Sequence, residues 1–243
     1  MRRIGGVGRP DSAVTLYLPF AGADGSVAMR DYSQYNKSIV VAGNAQIDTA
    51  YSKNSSSSLL LDGSGDYIRT EDATQWYAPG TTLTIDFFVR FASLQVDNTF
   101  ILRYASAVGF TSSEMLWAGY YGLSHPYFPG QIVFAGWNAS YTWSAGSLTT
   151  PAWTPTLGVW YHLAFTVNGN LDKVYIEGIG QSAQGVAFYL GESYATATYI
   201  GAGILSAPIP YINGNIAHLR FTNKVRWTGN FTPPTMPYVG GLR

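Results

Sequence analysis

Apolar residues recur at every second position in several short stretches of this chain. In "TLTIDFFVRF", residues 82–91, Leu83, Ile85, Phe87, Val89 and Phe91 fall on one face, with Thr84, Asp86, Phe88 and Arg90 on the other. That period of two predicts a half-buried strand, with Asp86 on its solvated face. "WYHLAFTV" alternates in the same way, setting Tyr161, Leu163, Phe165 and Val167 against Trp160, His162, Ala164 and Thr166, and "IAHLRFT" is similar. Asn168-Gly169 tolerates positive φ, so the second of these strands is expected to turn back as a hairpin into "DKVYIEG". Further strands are predicted in "VTLYLPF", "SLLLDG", "DYIRT", "TFILRY", "MLWAGYY", "GQIVFAG", "VAFYL" and "ATYIGAG". Between them lie turn signals such as "GADGS", "DGSGD", "FPG" and "SAPIPYINGN". No stretch sustains a 3.6-residue period, and only "TEDATQWYA" could hold a helical turn. Many short strands without helices predict an all-β, two-sheet antiparallel β-sandwich.

Composition fits that architecture. Hydrophobic residues make up 47% of the 243 positions and aromatics 15%, against 12% charged residues, with 27 Gly and 12 Pro. A single domain over 11–238 is expected, between a flexible arm at 1–10 and a short tail at 239–243. Fourteen Lys+Arg balance 14 Asp+Glu, so no long-range field gathers nucleic acid or anionic lipid. The absence of cysteine removes disulfides, thiolate metal sites and thiol nucleophiles together. "MRRIGGVGRPDS" breaks into Gly and Pro before any apolar run of signal-peptide length, and no run approaches the ~18–20 residues that cross a bilayer. Neither export nor membrane insertion is expected.

Three blocks of sequence carry a resemblance. "LYLPFAGADGSVAMRDYS", "SSLLLDGSGDYIRTED" followed by "TLTIDFFVRF", and "WYHLAFTVNG" followed by "GNIAHLRFTNKVRWTGNFTPPTMPY" resemble, in order and spacing, the laminin G-like, concanavalin A-like jelly-roll modules of tailed-phage structural proteins. The likeness runs from about Asp11 to Tyr238, weakest in the middle. It implies a sandwich of the concanavalin A-like lectin/glucanase type whose concave face and loop rim bind glycans, in some relatives beside calcium. Asp24, Asp31, Asp62 and Asp66 are the candidate calcium ligands under that resemblance. Phe20-Ala21-Gly22 and Ala217-His218 stand where relatives carry acids, and hard calcium needs roughly six to eight oxygens. In "DGSGDYI" the turn-forming role therefore outweighs metal binding, and no cofactor is required. "NFTPPTMPY" is expected to run as an extended closing strap, because Pro233, Pro234 and Pro237 fix φ and cannot join a central ladder.

The same fold hosts glycoside hydrolases, which hold two carboxylates roughly 5–10 Å apart. The four Glu, at 71, 114, 177 and 192, have no second acid two or four residues away, so no strand carries a catalytic pair. His162 reads as a packed or edge-bonded imidazole, His125 as a loop residue, and no nucleophile elbow or clustered His spacing occurs. An enzyme is not expected.

Large rings instead concentrate between Ala105 and Gly158, interleaved with Gly, Ser, Thr and Pro. A ring offers the apolar C–H face of a sugar a large contact area at little entropic cost, and rings also mark protein interfaces. Tyr127, Trp137, Asn138, Tyr141, Trp143 and Trp153 are the candidate glycan or partner contacts; Trp117 and Trp160, inside strand patterns, read as core or sheet-surface residues. The expected function is a non-enzymatic phage virion component, of tail fibre, baseplate or capsid decoration, touching other virion proteins, copies of itself and glycans on a cell surface. It would be made in the host cytoplasm and carried on the particle. A free lectin is the alternative, ahead of a glycosidase.

Overall fold

The computed structural model describes residues 12–54, 56–70, 82–103, 115–137, 147–168, 172–182, 184–185, 197–203 and 210–235. Within them the chain forms strands β1 (Val14–Leu18), β2 (Val40–Ala42), β3 (Gln46–Lys53), β4 (Ser56–Asp62), β5 (Tyr67–Thr70), β6 (Leu83–Phe91), β7 (Asn98–Arg103) and β8 (Met115–Tyr120). There follow β9 (Ile132–Trp137), β10 (Ser147–Thr149), β11 (Trp160–Val167), β12 (Lys173–Ile176), β13 (Ile179–Gly180), β14 (Gln184–Gly185), β15 (Thr198–Ile200) and β16 (Asn213–Thr222). Among the described residues there is no helix. The expected helical turn after Thr70 and the expected strand "VAFYL" lie outside them.

The strands pair antiparallel into two sheets. The first runs β13-β12-β11-β6-β16-β4-β3, and the second β14-β10-β9-β8-β7-β15-β5-β2. β16 organises the first sheet: its first half pairs with β4 and its second with β1, while its other edge lies on β6. The alternating residues read from sequence meet between the sheets, where Leu83, Ile85, Phe87, Val89 and Phe91 of β6 join Leu163 and Phe165 of β11. Opposite them stand Phe100, Ile101, Ala118, Ile132 and Phe134 from the second sheet. Phe87 packs at 5.3 Å on Phe100 and 6.0 Å on Phe165, and Phe134 at 5.0 Å on Phe165.

In β16 strict alternation would set Ile216, His218 and Arg220 together, yet the apolar residues are Ile216, Leu219 and Phe221. The register shifts between Ala217 and Arg220, and His218 adopts φ 52°. This one-residue bulge turns Leu219 and Phe221 back into the core alongside Ile216. A non-glycine residue in the left-handed region costs about 1–3 kcal/mol, and burying two large side chains offsets it.

Candidate functional site

The outer face of the first sheet is not the solvated surface that alternation predicts. Asp86 is fully buried there, with its oxygens accepting two 2.9 Å hydrogen bonds from Nε and Nη2 of Arg220. His162, also fully buried, lies with Nε2 at 3.5 Å from Asp86 Oδ2. Burial alone would raise the pKa of Asp86; the Arg220 charge and His162 overcome it and hold the carboxyl well below the ordinary range.

Two segments cover this face. After β16 the chain crosses it as the strap that the prolines suggested: Trp227 and Phe231 stack at 3.9 Å and meet His162 edge-on at 5.9 and 5.7 Å. Tyr175 donates to the Trp227 carbonyl and Lys173 to that of Thr228, and the Phe231 N–H bonds to the Gly178 carbonyl. From the other side, the end of β3 curls over the face. Lys53 Nζ sits 4.9 Å from the Phe88 ring centre, and the Asn54 side chain donates to the Pro234 carbonyl, joining the two covers.

One row of the face escapes. Where Arg90 of β6 lies between Trp160 of β11 and Asn215 of β16, and Asn215 faces Leu60 of β4, a cleft of ≈ 520 Å³ opens at the end of the sandwich. Leu60, Arg90 and Asn215 line it together with Tyr51, Asp62, Leu157, Gly158 and Asn213. Tyr51 and Leu157 are 45% and 53% exposed, so apolar area is on offer. The Arg90 guanidinium lies 3.6 Å from the Tyr51 ring centre, with Nε donating to the Gly158 carbonyl and Nη1 to Asn215 Oδ1.

Beneath the cleft a buried relay fixes both walls. Asn215 donates to Asp48 Oδ2 at 3.0 Å and to Ser58 Oγ at 3.1 Å, and Ser58 Oγ donates at 2.7 Å to the carbonyl of Tyr51. Side chains held in this way lose little freedom when a ligand arrives. An aromatic face, a cation, an amide and a carboxylate around a shallow cleft can hold a polyol.

A second cluster lies on the β8–β9 loop. Tyr127 is 79% exposed; His125 packs tilted at 4.1 Å on Tyr121 and stacks at 5.8 Å on Phe128, and its Nδ1 accepts the Phe128 N–H at 3.0 Å. Tyr127 is thus an exposed ring that touches His125 at 6.3 Å and Phe128 at 6.4 Å between ring centres. Trp153 turns inward instead, packing on Phe91, Tyr120 and Tyr161, so it supports the core. Trp137 ends β9, whereas Asn138, Tyr141 and Trp143 lie outside the described residues.

The four aspartates named as calcium ligands serve as turn ties. Asp31 accepts from the N–H groups of Tyr17, Ser33 and Lys37 and from the Ser33 hydroxyl. Asp66 takes the N–H groups of Asn44 and Asp62; Asp62 takes Ser64 N–H and the Asn44 amide; Asp24 takes Thr49 N–H. Among the described residues no three His, Cys, Asp or Glu side chains group to hold a metal. Both oxygens of Asp31, Asp62 and Asp66, and Oδ1 of Asp24, are thus already spent on loop hydrogen bonds.

Residues 62–227 match the family described as the concanavalin A-like lectin/glucanases superfamily. The chain belongs to that family. Solved structures share the concanavalin A-like fold at low identity. Domain 4 of AbnA, an extracellular arabinanase of Geobacillus stearothermophilus solved with arabinotriose, superposes at TM-score 0.60 and 18% identity, over 90% of this chain and 94% of that one. The binding domain of botulinum neurotoxin DC in complex with SialylT gives 0.59 and 15%, over 89% of this chain and 49% of the toxin domain. A botulinum neurotoxin type C structure, whose cell entry depends on two ganglioside molecules, gives 0.58 and 14%, over 89% and 49%. This concanavalin A-like chain thus spans about half the length of those toxin domains. A search of curated proteins found no significant match.

Sequence reasoning missed the cleft. Tyr51 lies in β3, where "QIDTAYSK" has no clean alternation, and Leu157 and Asn213 come from separate loops and strand ends. Arg90, an outward-facing charge among apolar neighbours, carried a signal, and Asp62 was singled out for a different role, as a metal ligand.

Proposed function

We propose that this chain is a non-catalytic glycan-contact module borne on the surface of a phage particle, with the Tyr51–Arg90 cleft as its binding site. The carrying observation is the cleft itself: a half-exposed ring, apolar Leu157 and hydrogen-bonding Asn213 and Asp62, on walls fixed by buried hydrogen bonds. Glycans in the printed descriptions of fold neighbours support the ligand class. Asp62 is the only acid among the residues lining the cleft, whereas glycoside hydrolysis uses a facing pair; the buried Asp86 lies beneath the strap. The virion assignment rests on the order of the phage-like sequence blocks, and exposed Tyr127 is offered to a neighbouring virion protein or a second copy.

A glycan array followed by calorimetry tests the ligand class. Binding that Tyr51→Ala abolishes while the fold survives supports the reading; no binding to any glycan, or binding indifferent to Tyr51, refutes it. Proteomics and labelled imaging of purified particles test the location, and a chain found free of particles is a soluble lectin instead.

A further inference from the structure

We infer that the Tyr51–Arg90 cleft selects an acidic oligosaccharide, one sugar unit carrying a carboxylate or sulfate at the Arg90 end and a neutral, hydroxyl-rich unit at the Asp62 end. The inference rests on the glycan-contact reading and assigns its charge and polarity.

Arg90 is a partly buried cation whose partners are all neutral: a ring face, a carbonyl and an amide oxygen. Of the five N–H donors of a guanidinium, those two hydrogen bonds use two, and the planar fork matches a carboxylate or sulfate. The contrast with Arg220 is instructive. On the same face, at Asp86, four positions before Arg90 in β6, the Arg220 guanidinium of β16 is matched by both carboxylate oxygens. Where the sheet is sealed a carboxylate meets the guanidinium directly; where it opens, Asp48 stands one side chain removed behind Asn215 and Asp62 two strands over, and neither touches Arg90. A ligand anion would fill the position beside Arg90 with charge-assisted hydrogen bonds.

Asp62 sets the polarity. Asn215 pairs with Arg90 and Leu60, and Asn213 with Asp62, which places Asp62 two strands over and two residues along from Arg90. Strand spacing and rise make that separation about 12 Å between backbones. The Asp62 carboxylate, tied by Ser64 and Asn44, accepts hydrogen bonds from hydroxyls and repels a second anion. An acidic unit is therefore admitted at one end only.

The test uses the full chain and matched probes: 3′-sialyllactose and 3′-sulfolactose against lactose, and trigalacturonate against its methyl ester, each titrated by calorimetry. At least one acidic probe is expected to bind about tenfold or more tighter than its neutral counterpart, since a hydrogen bond to a charged group contributes roughly 1.5–3 kcal/mol. That preference should shrink to about threefold or less in Arg90→Gln and fall with added salt. The lactose pair distinguishes carboxylate from sulfate. No acidic preference in any wild-type pair overturns the inference without recourse to a variant, as does a preference that survives in Arg90→Gln. Equal binding of acidic and neutral probes, lost in Tyr51→Ala, leaves the glycan-contact reading standing while this inference falls. Absence of all glycan binding removes both.

Discussion

Replacing Asp86 by Asn tests whether the sealed face of the first sheet is held by its buried ions. The substitution keeps the shape but removes the charge opposite Arg220, which is 6% exposed and donates twice to Asp86. An unmatched guanidinium would then sit beneath the strap. Breaking one partner of a buried pair costs about 3–5 kcal/mol, a large share of the ~5–15 kcal/mol that holds a typical domain. Arg220→Met should cost a similar amount by stranding Asp86. The double variant should cost less than the two losses summed, because it strands neither charge. Urea denaturation followed by tryptophan fluorescence reads this, since the Trp227 ring centre lies 6.0 Å from the Arg220 guanidinium carbon. Acid adds a second reading. The folded-state pKa of Asp86 lies below its unfolded value of 3.8, so the contribution is complete above that value and is lost as pH falls beneath it. Asp86→Asn should flatten that acid limb. A single-variant loss below about 1 kcal/mol, the range of surface pairs, or strictly additive losses would refute the reasoning.

The strap and its anchors give three further tests. Phe231→Ala removes the ring that stacks on Trp227 and meets His162 and Tyr175, and should cost about 1–3 kcal/mol and expose 224–235 to limited proteolysis; an unchanged cleavage pattern counts against a docked strap. Gly178→Ala, at φ 75° with the Phe231 carbonyl where a methyl would stand, should loosen the strap as much or more, read by hydrogen exchange at the Phe231 N–H. His218 is held neutral chiefly by burial, its pKa lowered beneath the usual 6.5 despite the Lys53 carbonyl. The unfolded chain therefore binds the proton first, and stability should decline as pH falls below about 6.5. His218→Asn, which tolerates the positive φ, should reduce that decline, and an unchanged melting profile between about pH 7 and 5 would contradict the assignment.

Alternation made the sandwich legible, because a residue facing another sheet leaves a period-two trace. Leu83 to Phe91 in β6 and Leu163 to Val167 in β11 read out their inward face directly. The same rule failed for Asp86, since a strand pattern identifies two faces but not what lies over each. Here the cover arrives from residues 227–234, more than a hundred positions away. The prolines at 233 and 234 announced an extended segment, but nothing in it announced that Trp227 and Phe231 would close over a carboxylate. Aromatic density did not separate Tyr127, which the structure leaves exposed, from Trp153, which it turns into the core, because a ring in a polar loop can turn either way. Aspartate in turn motifs likewise reads as ligand or tie from sequence alone, and Asp31, surrounded by backbone N–H groups, is a tie. Tyr51 stayed invisible because its importance comes from the curl of β3 over its neighbours.

The position of the cleft follows from how that face is closed. Near Asp86 the strap supplies large rings and the sheet supplies matched charge, so water is excluded. Toward β4 the strap meets β3 at Asn54, and the cover ends one row short of Arg90 and Asn215. What remains open is therefore the edge of a second core. This explains why the groups beneath it are preorganised. Asn215 and Ser58 are as buried as core residues, and they hold Arg90 on one wall and the Tyr51 backbone on the other through one hydrogen-bonded chain. Shifting either cover would break that chain before it changed the sandwich. On the proposed reading, loosening the strap should reach the cleft through Asn54 at the end of β3, whereas losing the exposed Tyr51 ring should leave the strap in place.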